Sequence, residues 1–402
     1  MVGQDSGSPA PVQNLSPLEN RRFGRWLAPV AILAAVVICL WLFSHRRGQR
    51  PLALPYHPPN PALLAKYGNV PVGWAGPPQW FLGSEGRAWR YEVYLDQGLF
   101  VHNQTDLYVG DAIPLVLGRT YFSRYKQSQA FGMGTVSSMD MYLQGDNQPF
   151  TYIEIILPDG GQLYYRRVSP GVGFSDAVYL HRPGPGEAAN IYWGSTLRWD
   201  VNRWDLKLAD GTILNFPPSR YATRAGQAAL IRVTRPTGDT LTIERDSMGN
   251  VLKVTSPNGA TMTLTHDAAN RITSARDSQG HFVTYVYDAK GYLVEVKSAE
   301  GITSYAYDKN GMMTAIMKPD ATVWADSTYN DHGLLMSVHN YGKTTRYSYT
   351  TDQKGTITGT EVTSPYGAVD DYTFDSNGIT TGHTQKKAPQ RPEGSPAQEK
   401  TL

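Results

Sequence analysis

A single cysteine, Cys39, in a chain of 402 residues excludes a disulfide framework, and its place inside an apolar run tells nothing of the redox compartment. Charge is sparse as well. Only 18% of residues are charged and the net charge is +2, so nothing marks a nucleic-acid binder. The common catalytic motifs are missing: there is no Gly-x-Ser-x-Gly, no His-Glu-x-x-His and no phosphate loop. The nine histidines are scattered without metal-ligand spacing. Asp370 and Asp371 are adjacent on a strand-like run, where neighbours point to opposite faces, so they are no general acid–base pair. Asp308-Lys309-Asn310-Gly311 opens like a calcium loop, but no downstream Glu completes it. The expectation is a protein that is not an enzyme, with no metal and no cofactor.

What the chain has in quantity is Tyr (25) and Gly (39), which with its Thr-rich segments predicts an all-β body. Residues 1–25 are rich in Ser, Pro, Gln and Asn and read as a disordered tail. Residues 26–43, WLAPVAILAAVVICLWLF, are eighteen residues without a charge, close to the length of a membrane-crossing helix. Trp26 and Trp41 mark its two ends, where indoles favour the membrane interface. No small-x-small cleavage site follows, so the run is expected to stay as a single-pass anchor. Three arginines flank each side (Arg21, Arg22, Arg25 and Arg46, Arg47, Arg50), and the charge rule leaves orientation open. Residues 44–80 carry Pro51, Pro55, Pro58, Pro59, Pro61, Pro71, Pro77 and Pro78 and read as an extended stalk. Residues 81–236 alternate short apolar–polar runs with Gly, Pro and Asp-Gly pairs, the pattern of antiparallel hairpins. Residues 381–402 read as a second disordered tail.

Residues 237–380 hold an internal repeat, whose fixed period outranks local propensity. Tyr285-x-Tyr287-Asp288-x-x-Gly291 recurs as Tyr305-x-Tyr307-Asp308-x-x-Gly311. Extended along the chain, the Asp slot falls at Asp246, Asp267, Asp288, Asp308, Asn330, Asp352 and Asp375, with spacings of 21, 21, 20, 22, 22 and 23. The Gly slot holds Gly249, Gly291, Gly311, Gly333, Gly355 and Gly378, with Asn270 in the second repeat. Asp caps a type I turn, and Gly, or next best Asn, takes the left-handed position. Apolar residues follow in pairs three apart, as Val251 and Val254, Leu293 and Val296, Leu335 and Val338. Each unit therefore predicts strand, tight turn, strand, wider turn. About fourteen strands at roughly 4.8 Å give a ring of only about 67 Å circumference, too small to enclose a folded domain.

These repeat segments, YVYDAKGYLVEV and YAYDKNGMMTAI, resemble those of the Rhs/YD-repeat proteins. Residues 105–134 are similar to the region that opens Rhs arrays, through Pro114, Leu115, Arg119, Thr120, Tyr121, Ser123, Phe131, Gly132 and Gly134; Thr135 and Val136 stand where a Trp is usual. The resemblance implies antiparallel β-hairpin repeats forming a curved sheet or open spiral, a partial YD shell, working outside the cytoplasm. Family toxins end in a core motif with Asp-Pro and Gly-Arg-Phe followed by a toxic domain, and neither is found here. Two functions are expected. One is a membrane-tethered module that binds a glycan, cell-wall polymer or protein, with Trp89, Trp193, Trp199, Trp204 and Trp324 as candidate contacts because flat rings pack on sugars and anchor interfaces. The other is a truncated or accessory component of a polymorphic-toxin system. Open sheet edges also predict self-association.

Overall fold

The structure is a computed structural model that describes residues 93–386, apart from 146–149, 159–161, 182–190, 219–221, 321, 341 and 376–379. The expected tails, the apolar run at 26–43 and the proline-rich stalk lie outside the described residues. Among the described residues no helix is long and apolar enough to cross a membrane. Their one helical element is the 3-10 turn Ala225–Ala228, and everything else regular is β-strand.

Two bodies of sheet make up the fold. The first is a four-stranded sheet of Val93–Tyr94, Leu99–Val109, Leu115–Phe122 and Thr135–Ser137, with the small ladder Ser128–Gln129 and Gly132–Met133 beside it. The second is an antiparallel sheet of 22 strands that runs from Tyr142–Gly145 to Thr380–Lys386, each strand paired with the next in sequence. It crosses the expected boundary at 236/237 without a break, since Arg232–Thr234 pairs with Ile213–Phe216 on one side and Thr240–Arg245 on the other. Register pairs at the first and last strands lead inward only, so the sheet is not closed end to end. Its start curls back: Tyr142 bridges Ala229, and the Leu230 N–H donates to the Met141 carbonyl at 2.7 Å. The strands up to Ile213–Phe216 thus complete one turn before the repeats begin.

Apolar residues spaced by three rather than two have a physical cause in the repeats. In an undistorted strand such residues would face opposite sides. Here the register skips one residue past every tight turn: Ile243 faces Val254 while Arg245 faces Val251, and the same skip recurs at Thr265/His266, Val286/Tyr287, Ala306/Tyr307, Thr328/Tyr329, Thr350/Thr351 and Thr373/Phe374. A β-bulge turns both members of each pair inward. The bulge survives in the last two repeats, where most of the sequence pattern has decayed. Buried side chains from Phe100 to Val338 form one hydrophobic cluster, which joins the opening strands to the repeats.

The turns follow local chemistry. Asp288 Oδ1 accepts the N–H groups of Lys290 (2.9 Å) and Tyr292 (2.8 Å), and the Gly291 N–H closes on the Asp288 carbonyl (3.0 Å). Asp246, Asp267, Asp308, Asn330 and Asp352 accept in the same two positions. Gly249, Asn270, Gly291, Gly311, Gly333 and Gly355 all have positive φ, from 64° at Asn270 to 89° at Gly291. Gly378 lies outside the described residues.

Candidate binding pocket

The opening hairpin, Leu99–Val109 with Leu115–Phe122, is the element that positions the candidate site. Leu115, Leu117, Arg119 and Tyr121 share one face by strand alternation, so an arginine falls in an otherwise apolar inward row. Opposite it the ladder slips between Thr105 and Leu107, which makes Asp106 a bulge residue and re-aims its carboxylate. Asp106 Oδ2 accepts from Arg119 Nε at 2.8 Å, with side-chain exposures of 4% and 3%. Two repeat tyrosines complete the node: Tyr285 Oη donates to Asp106 Oδ2 (2.9 Å) and Arg119 Nη2 donates to Tyr305 Oη (2.5 Å). These are the first tyrosines of successive Tyr-x-Tyr-Asp units. Burial raises the pKa of both, so both hydroxyls keep their protons. Burial alone would work against the Arg119 charge, but Asp106, with Tyr305 and Tyr285, outweighs it and holds the pKa above its ordinary value.

The second tyrosines have a separate task. Tyr287, Tyr307 and Tyr329 donate to the carbonyls of Ile272 (2.5 Å), Leu293 (2.8 Å) and Met313 (2.7 Å), each the first inward residue of the preceding unit. Tyr349 does the same to Leu335 at 2.6 Å. The rungs of the array are thus tied side chain to backbone.

Bulges leave backbone groups without ladder partners, and a buried unpaired group is costly. The opening segment supplies the partners. Gly98 O accepts from Leu335 N (2.9 Å), Ala130 O accepts from Ile272 N (2.7 Å), and Met133 N donates to Gly291 O (2.8 Å). Tyr121 Oη accepts from Met313 N (2.9 Å) and donates to Gly311 O (3.1 Å). Gly132 is needed for this approach: its φ is +83°, and a Cβ there would lie 2.2 Å from the Gly291 carbonyl oxygen.

Between hairpin and repeats is a pocket of about 540 Å³. Of its lining residues, the buried Arg119, Tyr305 and His102 form the floor, the buried Trp324, Val296 and Ile316 the walls, and the exposed Phe282, Lys318, Glu300 and His281 the rim. The His102 ring lies 5.2 Å from Trp324 and 6.1 Å from Tyr305. Burial, then the charges of Arg119 and Lys318, push its pKa from 6.5 down to about 3, so the imidazole is neutral at physiological pH. The site therefore offers a fixed guanidinium, a neutral imidazole and flat apolar walls, a combination suited to holding a ligand. Among the described residues no group of three His, Cys, Asp or Glu is placed to hold a metal ion.

The five candidate tryptophans are not assembled into one surface. Trp193 is exposed on a turn. Trp199 packs edge-on against Phe174 (4.9 Å) and Trp204 (5.2 Å), and Trp204 is buried beside Tyr179. Only Trp324 lines the pocket, and Trp89 lies outside the described residues. His102, Asp106 and the node with Tyr285 and Tyr305 escaped the sequence reading. The one available signal was the arginine in the inward row of LVLGRTYF.

The family described as RHS Repeat matches residues 266–303, and the domain of unknown function DUF6531 matches residues 91–165. No curated protein matches the sequence. Among solved structures, the Photorhabdus luminescens Tc holotoxin pore is similar at 12% identity and a TM-score of 0.33, over 70% of this chain and 18% of that one. The TcdB2-TccC3 crystal structure is similar at 12% identity and a TM-score of 0.31, over 84% of this chain and 24% of that one. A porin-like protein from Bacteroides uniformis follows at 10% identity and 0.17, over 72% of this chain and 94% of that one. The chain spans less than a quarter of the length of these two toxin-complex chains. With the repeat match lying over the Asp267 and Asp288 turns and the DUF6531 match over the hairpin that docks on them, this chain is an Rhs/YD-repeat protein.

Proposed function

We propose that this protein is a membrane-tethered binding module whose β body stands outside the cytoplasm. The observation that carries the binding role is the pocket of about 540 Å³, assembled jointly by the opening hairpin and the repeats around a fixed Arg119. The tether rests on the uncharged run at 26–43 and the prolines that follow it. Reporters fused after Leu402, one active only outside the cytoplasm and one only inside, test the topology. Activity outside supports the reading; activity inside contradicts it. Retention of the purified full chain on a peptidoglycan or polysaccharide fraction is the expected binding result, and no retention on any envelope fraction removes the surface role.

One observation favours a second reading, an accessory part of a polymorphic-toxin system. The outer edge of Thr380–Lys386 has no partner strand among the described residues, so another β body can pair there. Toxin-tip or immunity-like genes beside this reading frame would raise that reading over the first.

A further inference from the structure

The pocket's chemistry narrows the class of ligand, given the binding role just proposed. Its floor is built rather than incidental. Arg119 is almost fully buried, its Nε is held by Asp106 and its Nη2 by Tyr305, and its Nη1 has no hydrogen-bond partner among the described residues. A guanidinium has five donors in a fixed fork, so a buried one that lines a cavity with donors to spare is already oriented for an oxyanion. Asp106 balances Arg119, and Lys318 on the rim adds a further positive charge, its Nζ lying 5.8 Å from the centre of the Trp324 ring. The opposing carboxylates are Glu300 in the lining and Asp320 beside Lys318, both on exposed turns where water screens them. The field of Arg119 and Lys318 reaches the floor, where both help to keep His102 unprotonated. The walls are of another kind. Trp324 is 8% exposed, and with Val296 and Ile316 it presents a flat apolar surface beside these donors. The volume lies within the roughly 300–1,000 Å³ typical of small-ligand pockets.

We propose that this pocket binds a ring compound bearing a carboxylate, with the carboxylate on Arg119 and Lys318 and the ring face along Trp324. Such chemistry has two sources, an acidic sugar of an envelope glycan and a free aromatic acid.

The test is calorimetric titration of the detergent-solubilised full chain with glucuronate and benzoate, against glucose and benzyl alcohol as neutral counterparts. Saturable binding of at least one acid is expected, weakening with added salt. The neutral counterpart should bind at least about tenfold more weakly, as expected for loss of a charge-assisted contact. Lys318→Met and Trp324→Leu should each weaken the acid by about tenfold. Trp193→Leu, on a turn that does not line the pocket, should leave it unchanged. Glucuronate preference assigns the glycan source and benzoate preference the free acid. Equal binding of acid and neutral probe, binding indifferent to Lys318→Met and Trp324→Leu in variants that keep the wild-type circular dichroism, or no saturation by ~10 mM of either acid would overturn the proposal. If Lys318→Met abolishes acid binding but leaves retention on envelope fractions intact, another surface makes the envelope contact and the pocket is a separate small-molecule site. If the acids bind but no envelope fraction retains the protein, the surface role falls and the pocket assignment stands.

Discussion

Replacing Asp106 by Asn should destabilise the whole β body, because it removes the charge that justifies a buried Arg119. Both side chains are at most 4% exposed, and the pair is held at 2.8 Å. At an effective dielectric constant near 20, such a pair is worth about 4 kcal/mol of attraction, and breaking a buried pair by removing one partner typically costs about 3–5 kcal/mol. Asn also gives Tyr285 a weaker acceptor, since hydrogen bonds to neutral groups contribute less than those to charged ones. The assay is urea denaturation of the full chain, followed by tryptophan fluorescence and by far-ultraviolet circular dichroism. One transition is expected by both probes, moved to lower urea in Asp106→Asn by an amount equivalent to about 3–5 kcal/mol. The companion variant Asp106→Leu with Arg119→Met removes both charges and should recover most of the loss, since apolar residues of similar volume often replace a buried pair at no net cost. A cost below about 1 kcal/mol for Asp106→Asn, typical of an exposed pair, would refute the reasoning. So would a double variant as costly as the two single losses added together.

Three further outcomes follow from the same geometry. Gly132→Ala meets both a left-handed backbone and a carbonyl oxygen at 2.2 Å, whereas Gly280→Ala meets only the backbone strain, with nothing within 4 Å; thermal unfolding should show Gly132→Ala as clearly the costlier, and Gly280→Ala at about 1–3 kcal/mol. Asp288→Asn should be nearly neutral because Asn330 makes the same two bonds in its own turn, while Asp288→Ala loses two bonds to a carboxylate and should cost about 1.5–3 kcal/mol in the same measurement. His102, with a folded pKa of about 3 against 6.5, takes up its proton in the unfolded chain first. The unfolded state therefore binds more protons between these values, so stability is full above pH 6.5 and falls with acidification by about 1.4 kcal/mol per pH unit from this residue. Burial lowers the His266 pKa too and adds to the slope, so the readout is the difference between wild type and His102→Gln across pH 4.5–6.5, and equal slopes would contradict it.

How much of this could be read in the sequence depends on how local the cause is. The Asp-x-x-Gly turns were legible because the carboxylate, its two N–H partners and the left-handed glycine all lie within five residues. The inward pairs at a spacing of three were visible as well, but only the register reveals the bulge that makes them share a face. The docking of the hairpin was not legible. Tyr121 meets Met313 across 192 positions and Arg119 meets Tyr305 across 186, and no periodicity encodes contacts of that separation. The tryptophans show a different limit: burial of Trp204 and exposure of Trp193 follow from which face of which strand or turn each occupies, while composition marks all of them alike.

The central claim is that the opening hairpin and the repeats are one cooperative body, joined at Arg119, at Tyr121 and at the bulged turns. Native-state hydrogen exchange of the full chain tests it most directly. The account predicts that amides in Leu115–Phe122 exchange with the same opening free energy, and the same denaturant dependence, as those in Phe282–Tyr287 and Gly301–Tyr307, because no local opening frees one without the other. Hairpin amides that exchange through a separate opening of much lower free energy, while the repeats stay protected, would contradict it.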